Sequence, residues 1–94
     1  MKSRWTRRAL SALTNIHAHI AADNRPAADQ LRDRALAFVE TTLTAHPAIG
    51  RPGRVDGTRE YVIHPSYIMV YQITDGVIEI LTVRHVAQKW PNRF

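Results

Sequence analysis

Apolar residues recur at helical spacing through the first half of the chain. The pattern predicts a first helix from about Thr6 to Ala22, with an apolar stripe formed by Leu10, Leu13, Ile16 and Ile20. After a short break, Asn24 can cap a second helix that has Pro26 in its first turn. We expect this helix to continue to about Ala45, where a proline two residues later ends it. Two amphipathic helices with a short link form an antiparallel hairpin.

The last third of the chain has the period and composition of β-strands. Before it, residues 47–57 contain three glycines and two prolines and are predicted to form a loop. Strands are predicted at 59–64, 67–74 and 77–86. Asp75-Gly76, between the last two strands, is a strong signal for a tight hairpin turn.

The predicted fold is α+β: an N-terminal antiparallel helical hairpin packed on an antiparallel sheet of three or four strands, in one domain of 94 residues. If pairing continues uninterrupted from the turn, Val70 lies opposite Leu81 and Tyr67 lies opposite Arg84. Both faces of this hairpin then carry large apolar residues, and the helices can cover only one of them. The other face is expected to accept the C-terminal tail or a partner.

Composition excludes several classes of site. The chain has no cysteine, so disulfides and thiolate metal sites are excluded. No group of histidines and carboxylates has metal-ligand spacing, and no glycine-rich phosphate motif is present, so neither a metal nor another cofactor is expected. The absence of a long apolar run predicts a cytoplasmic protein that does not bind membranes.

The charge balance suggests an anionic partner. Lysine and arginine number 13 against 8 acidic residues, which gives a net charge of +5, and nearly all of the basic residues are arginine. Arginine pairs well with phosphates and carboxylates, so nucleic acid or an acidic protein segment would fit. An ordinary soluble surface with some excess charge would give the same composition.

Three segments are candidates for the binding chemistry. The first is the basic stretch with Arg51, Arg54 and Arg59, where glycines let the backbone approach a ligand, unless these arginines only pair with surface acids. The second is Arg84-His85, a cation beside a proton donor or acceptor. Neighbouring strand residues point to opposite faces, however, and a histidine at a strand end is often structural.

The third candidate is the tail at residues 88–94. Trp90 and Phe94 lie beside Lys89 and Arg93, and aromatic residues with arginine dominate interface hot spots. This tail either inserts into a groove of a partner or folds back over the uncovered sheet face.

The order of these pieces resembles the RelE/ParE superfamily of toxins along nearly the whole chain. The resemblance rests on Asp-Asn-x-Pro at 23–26, His46-Pro47, the glycine- and arginine-rich run 50–60, Pro65–Tyr71, Val77–His85 and Trp90-Pro91. It implies a toxin of a type II toxin–antitoxin system. The resemblance also implies a cognate antitoxin, an acidic and partly disordered chain that forms a hetero-oligomer with the toxin.

Departures from the ribonuclease pattern distinguish two activities within the superfamily. RelE-like members cut messenger RNA on the ribosome without a metal, whereas ParE-like members inhibit DNA gyrase or another target without known hydrolysis. RelE-like ribonucleases carry basic residues where this chain has Tyr61, Ile68 and Ala87. Because metal-free cleavage relies on such cations, we predict a ParE-like toxin that acts by binding. Its predicted target-binding residues are Arg51, Arg54, Arg59, Trp90 and Arg93.

Two alternatives stay open at this point. A ribosome-dependent messenger RNA endoribonuclease would use Arg59, Arg84 and His85 as its catalytic residues, and His85 resembles a histidine that some ribonuclease members use. A plain interaction module would have no toxicity at all.

Overall fold

The chain folds as two helices on one face of a five-stranded sheet. The computed structural model describes residues 1–94, with β1 Lys2–Trp5, α1 Arg7–Ala21, α2 Arg25–Ala37, β2 Arg51–Pro52, β3 Arg59–His64, β4 Tyr67–Thr74 and β5 Val77–His85. The sheet order is β1-β5-β4-β3-β2; β1 runs parallel to β5, and the other neighbours are antiparallel. The predicted α+β architecture is confirmed. Two short edge strands that the pattern did not predict, β1 and β2, enlarge the sheet to five strands.

Polar side chains at the helix starts explain where both helices begin. The Thr6 hydroxyl accepts a hydrogen bond from the Ala9 N–H (3.1 Å) and donates one to the Ile80 carbonyl on β5 (2.7 Å). The Asn24 side chain accepts a hydrogen bond from the Ala27 N–H at 3.1 Å. Both predicted helix starts are therefore confirmed.

None of the helices has the length and apolar character needed to span a bilayer.

The second helix departs from the prediction at its C-terminal end. Regular α-helix ends at Ala37, and the chain continues as a π-helical segment, Phe38–Leu43. The hydroxyls of Thr41 and Thr44 donate to the carbonyls of Ala37 and Glu40, four residues earlier in each case. Such side-chain bonds compete with the regular backbone ladder, and apolar periodicity does not report that competition.

The turn between β4 and β5 is the predicted one, but the pairing beyond it is not. Asp75 and Gly76 have positive φ values of 53° and 75°, as a tight primed turn requires. Further along, β5 contains one extra residue, a β-bulge at Leu81. Val70 therefore lies opposite Thr82, and the predicted pairing of Val70 with Leu81 is wrong.

The bulge determines which face of the sheet each residue at the end of β5 occupies. His85 lies opposite Tyr67, where Arg84 was predicted, and Arg84 lies opposite Ile68 on the other face. The shift also brings Val83 into the helix-facing core, where it is 3% exposed. Burial of this valine under the helices is a physical reason for the extra residue.

The hydrophobic core lies between the helical hairpin and the sheet. Its buried members are Ala9, Leu13, Leu31, Ala35, Val39, Leu43, Ile63, Tyr67, Met69, Tyr71, Ile78, Ile80 and Val83. Ile16 and Ile20 of the predicted stripe pack against this cluster, whereas Leu10 is exposed. One face of the sheet is thus covered by helices, as predicted.

A hydrogen bond between a histidine and a carboxylate connects the two helices. His17 Nε2 on α1 lies 2.7 Å from Asp29 Oδ1 on α2, and Arg32 Nη1 lies 3.6 Å from the same oxygen. The hydrogen bond with His17 lowers the pKa of Asp29 below its usual value of 3.8, with a smaller contribution from Arg32. Because the folded-state pKa is the lower one, the stabilisation is present above pH 3.8 and is lost as the pH falls through the lowered value.

We therefore expect Asp29→Asn to destabilise the protein at neutral pH, and the difference from the wild type to disappear in acid. Urea unfolding at a series of pH values measures both. Asp23→Asn is the matched control, because Asp23 is exposed and forms no ion pair, so it should change little at any pH. A destabilisation by Asp29→Asn that does not vary with pH would contradict this account.

Candidate target-binding surface

The sheet face turned away from the helices, called the second face below, contains a buried carboxylate. Strand pairing places Glu60, Val70 and Thr82 side by side across β3, β4 and β5, with Ile68 and Arg84 in the next row. The first four of these residues are at most 4% exposed (Glu60 2%, Ile68 2%, Val70 0%, Thr82 4%), although no helix covers them. The loop after the helices and the C-terminal tail lie on part of this face, and Val62, beside Ile68, stays half exposed.

The buried Glu60 carboxylate holds the basic loop in place. Its Oε2 accepts a hydrogen bond from the Arg54 backbone N–H at 2.6 Å, and its Oε1 lies 3.1 Å from Arg51 Nη2. The Glu60 side chain is 1% exposed, whereas the side chains of Arg51 and Arg54 are about half exposed. The carboxylate therefore fixes the loop while both guanidinium groups stay at the surface. Sequence reasoning missed this role, because the neighbours of Glu60 in the sequence, Arg59 and Tyr61, give no signal of a buried carboxylate.

The C-terminal tail folds back over the second face and meets this loop. Arg54 Cζ lies 4.2 Å and Arg84 Cζ lies 5.6 Å from the centroid of the Trp90 ring, so the indole contacts two guanidinium groups. Arg84 Nη2 donates to the Lys89 carbonyl at 2.6 Å, and the Phe94 ring meets Trp90 edge to face at 6.1 Å. The basic loop, the end of β5 and the tail thus form one basic and aromatic surface.

The third arginine of the basic stretch lies elsewhere. Arg59 is paired with Tyr71 in the sheet, and its Nη1 donates to the Gly50 carbonyl at 2.7 Å and to the Ala48 carbonyl at 3.4 Å. The Tyr71 hydroxyl donates to the Pro47 carbonyl at 2.7 Å and accepts from the Gly50 N–H at 2.9 Å. Burial raises the pKa of Tyr71, so its hydroxyl stays protonated at neutral pH. Arg59 and Tyr71 together hold the start of the loop by its backbone.

The two candidate catalytic residues of β5 face opposite sides of the sheet. Arg84 lies on the second face, whereas the His85 ring packs edge-on against Tyr67 at 5.3 Å on the helix-facing side. His85 Nδ1 accepts from the Ala87 N–H at 3.0 Å. The ring borders an open groove of about 310 Å³ lined by Asn15, Ile16, His19, Tyr67, His85 and Gln88. With Arg59 bound to loop carbonyls, the three residues do not converge on one pocket.

The structure therefore brings together part of the predicted target-binding set. Arg51, Arg54 and Trp90 share the second face, and Arg84, considered before only as a catalytic residue, joins them. Arg93 lies in the same tail and is exposed. Arg59 is not part of this surface.

Known proteins match this chain along almost its whole length. The family model of the ParE toxin of the type II toxin–antitoxin system parDE matches residues 3–90. Y4kP of Sinorhizobium fredii, named as a candidate toxin, is 46% identical over 89 residues, which cover 94% of this chain and 91% of Y4kP. Toxin RelE2 of Caulobacter vibrioides is 34% identical over 84 residues, which cover 89% of this chain and 93% of RelE2.

A solved structure shares the fold. A chain of the chromosomal ParDE toxin–antitoxin system of P. aeruginosa superposes with a TM-score of 0.78 at 24% sequence identity, over 92% of this chain and 96% of that one. At this identity the likeness shows the fold alone. The family itself is shown by the family model and by the two sequence relatives. The chain belongs to the ParE toxin family of type II toxin–antitoxin systems.

Proposed function

We propose that this chain inhibits growth by binding a macromolecular target in the cytoplasm, DNA gyrase, and not by cleaving RNA. The observation that supports this most is the separation of Arg84 from His85, together with the engagement of Arg59 by loop carbonyls. Metal-free cleavage of a phosphodiester needs a proton acceptor and clustered cations at one site. The exposed arginines around Trp90 offer a binding surface of the kind found at interface hot spots.

A cognate antitoxin neutralises the toxin in this proposal. The structural relative from P. aeruginosa belongs to a ParDE toxin–antitoxin system, and the net charge of +5 suits an acidic partner. A partly disordered acidic chain can wrap a large surface and cover the arginines of the second face. Toxin and antitoxin would then form a hetero-oligomer.

The purified protein is expected to block gyrase-catalysed supercoiling at stoichiometric amounts and to leave messenger RNA intact in a translation extract. His85→Ala is expected to retain this inhibition, because the His85 ring lies on the helix-facing side, away from the second face. Supercoiling that continues at stoichiometric excess of toxin would refute gyrase as the target. Message cleavage that disappears in His85→Ala would establish the ribonuclease instead, and normal growth on expression without antitoxin would indicate an interaction module.

A further inference from the structure

The groove between α1 and the end of β5 contains an aromatic hydroxyl without a partner. Its volume is about 310 Å³, and Tyr67 and His85 form part of its lining. Tyr67 is only 7% exposed, yet its hydroxyl forms no hydrogen bond within the protein. Polar groups that are this deeply buried normally have a hydrogen-bond partner. The Tyr67 hydroxyl is therefore a first indication that the groove accommodates a ligand.

Two further donors in the lining are fixed by bonds to the backbone. His85 Nδ1 accepts from the Ala87 N–H at 3.0 Å, so the neutral ring carries its proton on Nε2. Gln88 Oε1 accepts from the His85 backbone N–H at 2.8 Å, so the amide NH₂ group of Gln88 is free to donate. A backbone N–H can only donate, and both orientations follow from that. An imidazole N–H and an amide NH₂ are thus available to a ligand.

The rest of the lining adds polar and apolar surface but no carboxylate. Asn15 and His19 lie one helical turn apart on α1, and neither side chain forms a hydrogen bond within the protein. Ile16 and the Tyr67 ring contribute apolar surface. The matching ligand is a hydrogen-bond acceptor on an apolar body. A negatively charged acceptor fits best, because charged acceptors form the stronger bonds.

The bond at His85 also distinguishes such a ligand from a metal ion. A neutral imidazole that coordinates a metal through Nε2 carries its proton on Nδ1. In this protein Nδ1 is the acceptor of the Ala87 N–H, so a proton there would face another donor. The ring is therefore set to donate from Nε2 and not to coordinate through it.

We propose that this groove binds a small organic oxyanion, a phosphate monoester or a carboxylate that carries an apolar body. The oxyanion accepts from the Tyr67 hydroxyl, from His85 Nε2–H and from the Gln88 amide, and the apolar body lies against Ile16. The net charge of +5 favours an anion over a neutral acceptor. Because the His85 ring lies on the helix-facing side of the sheet, the site is separate from the basic and aromatic surface of the second face.

Titrations of the full chain with phenyl phosphate, benzoate and benzyl alcohol test the proposal. The three probes share an aromatic ring, and only the first two carry an oxyanion. In heteronuclear NMR either anion is expected to shift the imidazole signals of His85 and the NH₂ signals of Gln88 until they saturate. The anion that binds more tightly identifies the site as one for phosphates or for carboxylates. Benzyl alcohol that binds as tightly as the anions overturns the proposal, as does the lack of saturable shifts at anion concentrations up to about 10 mM.

His85→Asn removes the Nε2–H donor and keeps an acceptor for the Ala87 N–H, because the asparagine oxygen replaces Nδ1. We expect it to raise the Kd of the tighter anion about fivefold or more, the loss of one hydrogen bond. His64→Asn is the matched control. His64 Nδ1 accepts from the Ser66 N–H at 3.0 Å and its ring contacts Tyr67, but His64 does not line the groove. Equal losses of affinity in the two variants would overturn the proposal.

Gln88→Glu tests the same site at an exposed position, where a substitution leaves the fold intact. The carboxylate still accepts from the His85 N–H, but it replaces the amide donor by a negative charge. Like-charge repulsion is expected to raise the Kd about tenfold or more. Gln30→Glu adds the same charge at an exposed position on α2 and should change the Kd less than about twofold. If both variants weaken binding equally, net charge alone attracts the anion and the groove is not its site. This pair decides the question if circular dichroism shows that His85→Asn is unfolded.

Discussion

Tyr71→Phe is expected to lower the free energy of unfolding by about 2–4 kcal/mol, because it leaves the buried Gly50 N–H unsatisfied at about 1–3 kcal/mol and removes a partly buried hydrogen bond to the Pro47 carbonyl worth about 1 kcal/mol. The Tyr71 hydroxyl donates to the Pro47 carbonyl and accepts from the Gly50 N–H, and the side chain is fully buried. The phenylalanine ring would keep the packing and lose both bonds. A Cβ at Gly50 would lie 2.8 Å from the Tyr71 hydroxyl oxygen, so the glycine allows this close approach of hydroxyl and backbone.

Tyr61→Phe is the matched control for this prediction. The Tyr61 ring stacks on Phe38 with centroids 4.2 Å apart, but its hydroxyl forms no hydrogen bond within the protein. Its removal should therefore change stability by less than about 0.5 kcal/mol. Urea denaturation of both variants measures the difference. Equal losses in the two variants would show that the loop bonds of Tyr71 do not stabilise the fold.

Arg54→Ala is expected to weaken inhibition of the target about tenfold or more, the effect of truncating an interface hot spot. The Arg54 guanidinium is half exposed and stacks on Trp90, so it lies at the centre of the basic and aromatic surface. The backbone N–H of residue 54 still donates to Glu60 in the alanine variant. The loop should therefore keep its position, and any weakening of inhibition should come from the loss of the Arg54 side chain.

Arg8→Ala removes the same charge from an exposed position on α1 and is the control for Arg54→Ala. The toxin concentration for half-inhibition of gyrase supercoiling, measured at low and high salt, compares the two variants. A weakening by Arg8→Ala as large as that by Arg54→Ala would mean that net charge alone matters. No weakening by Arg54→Ala would remove Arg54 from the target-binding surface.

The candidate site was predictable in part. Arginines in a glycine-rich loop and a tryptophan in a basic tail are signals of binding, and Arg51, Arg54 and Trp90 do meet. Glu60 was missed because nothing local distinguishes a strand carboxylate that points into solvent from one that organises a loop across the sheet. Arg59 follows the same loop in sequence, but strand alternation turns it to the opposite face from Glu60.

The sequence by itself determined the helical hairpin, the strands of the main sheet, the Asp75-Gly76 turn and the resemblance to a toxin superfamily, because these follow from local periodicity, capping and turn chemistry. Only the tertiary structure decided the parallel edge strand, the bulge at Leu81 and the return of the tail over the second face. Each of these depends on burial between segments that are distant along the chain. Alternation required Arg84 and His85 to separate, but packing under the helices decided which face each would occupy.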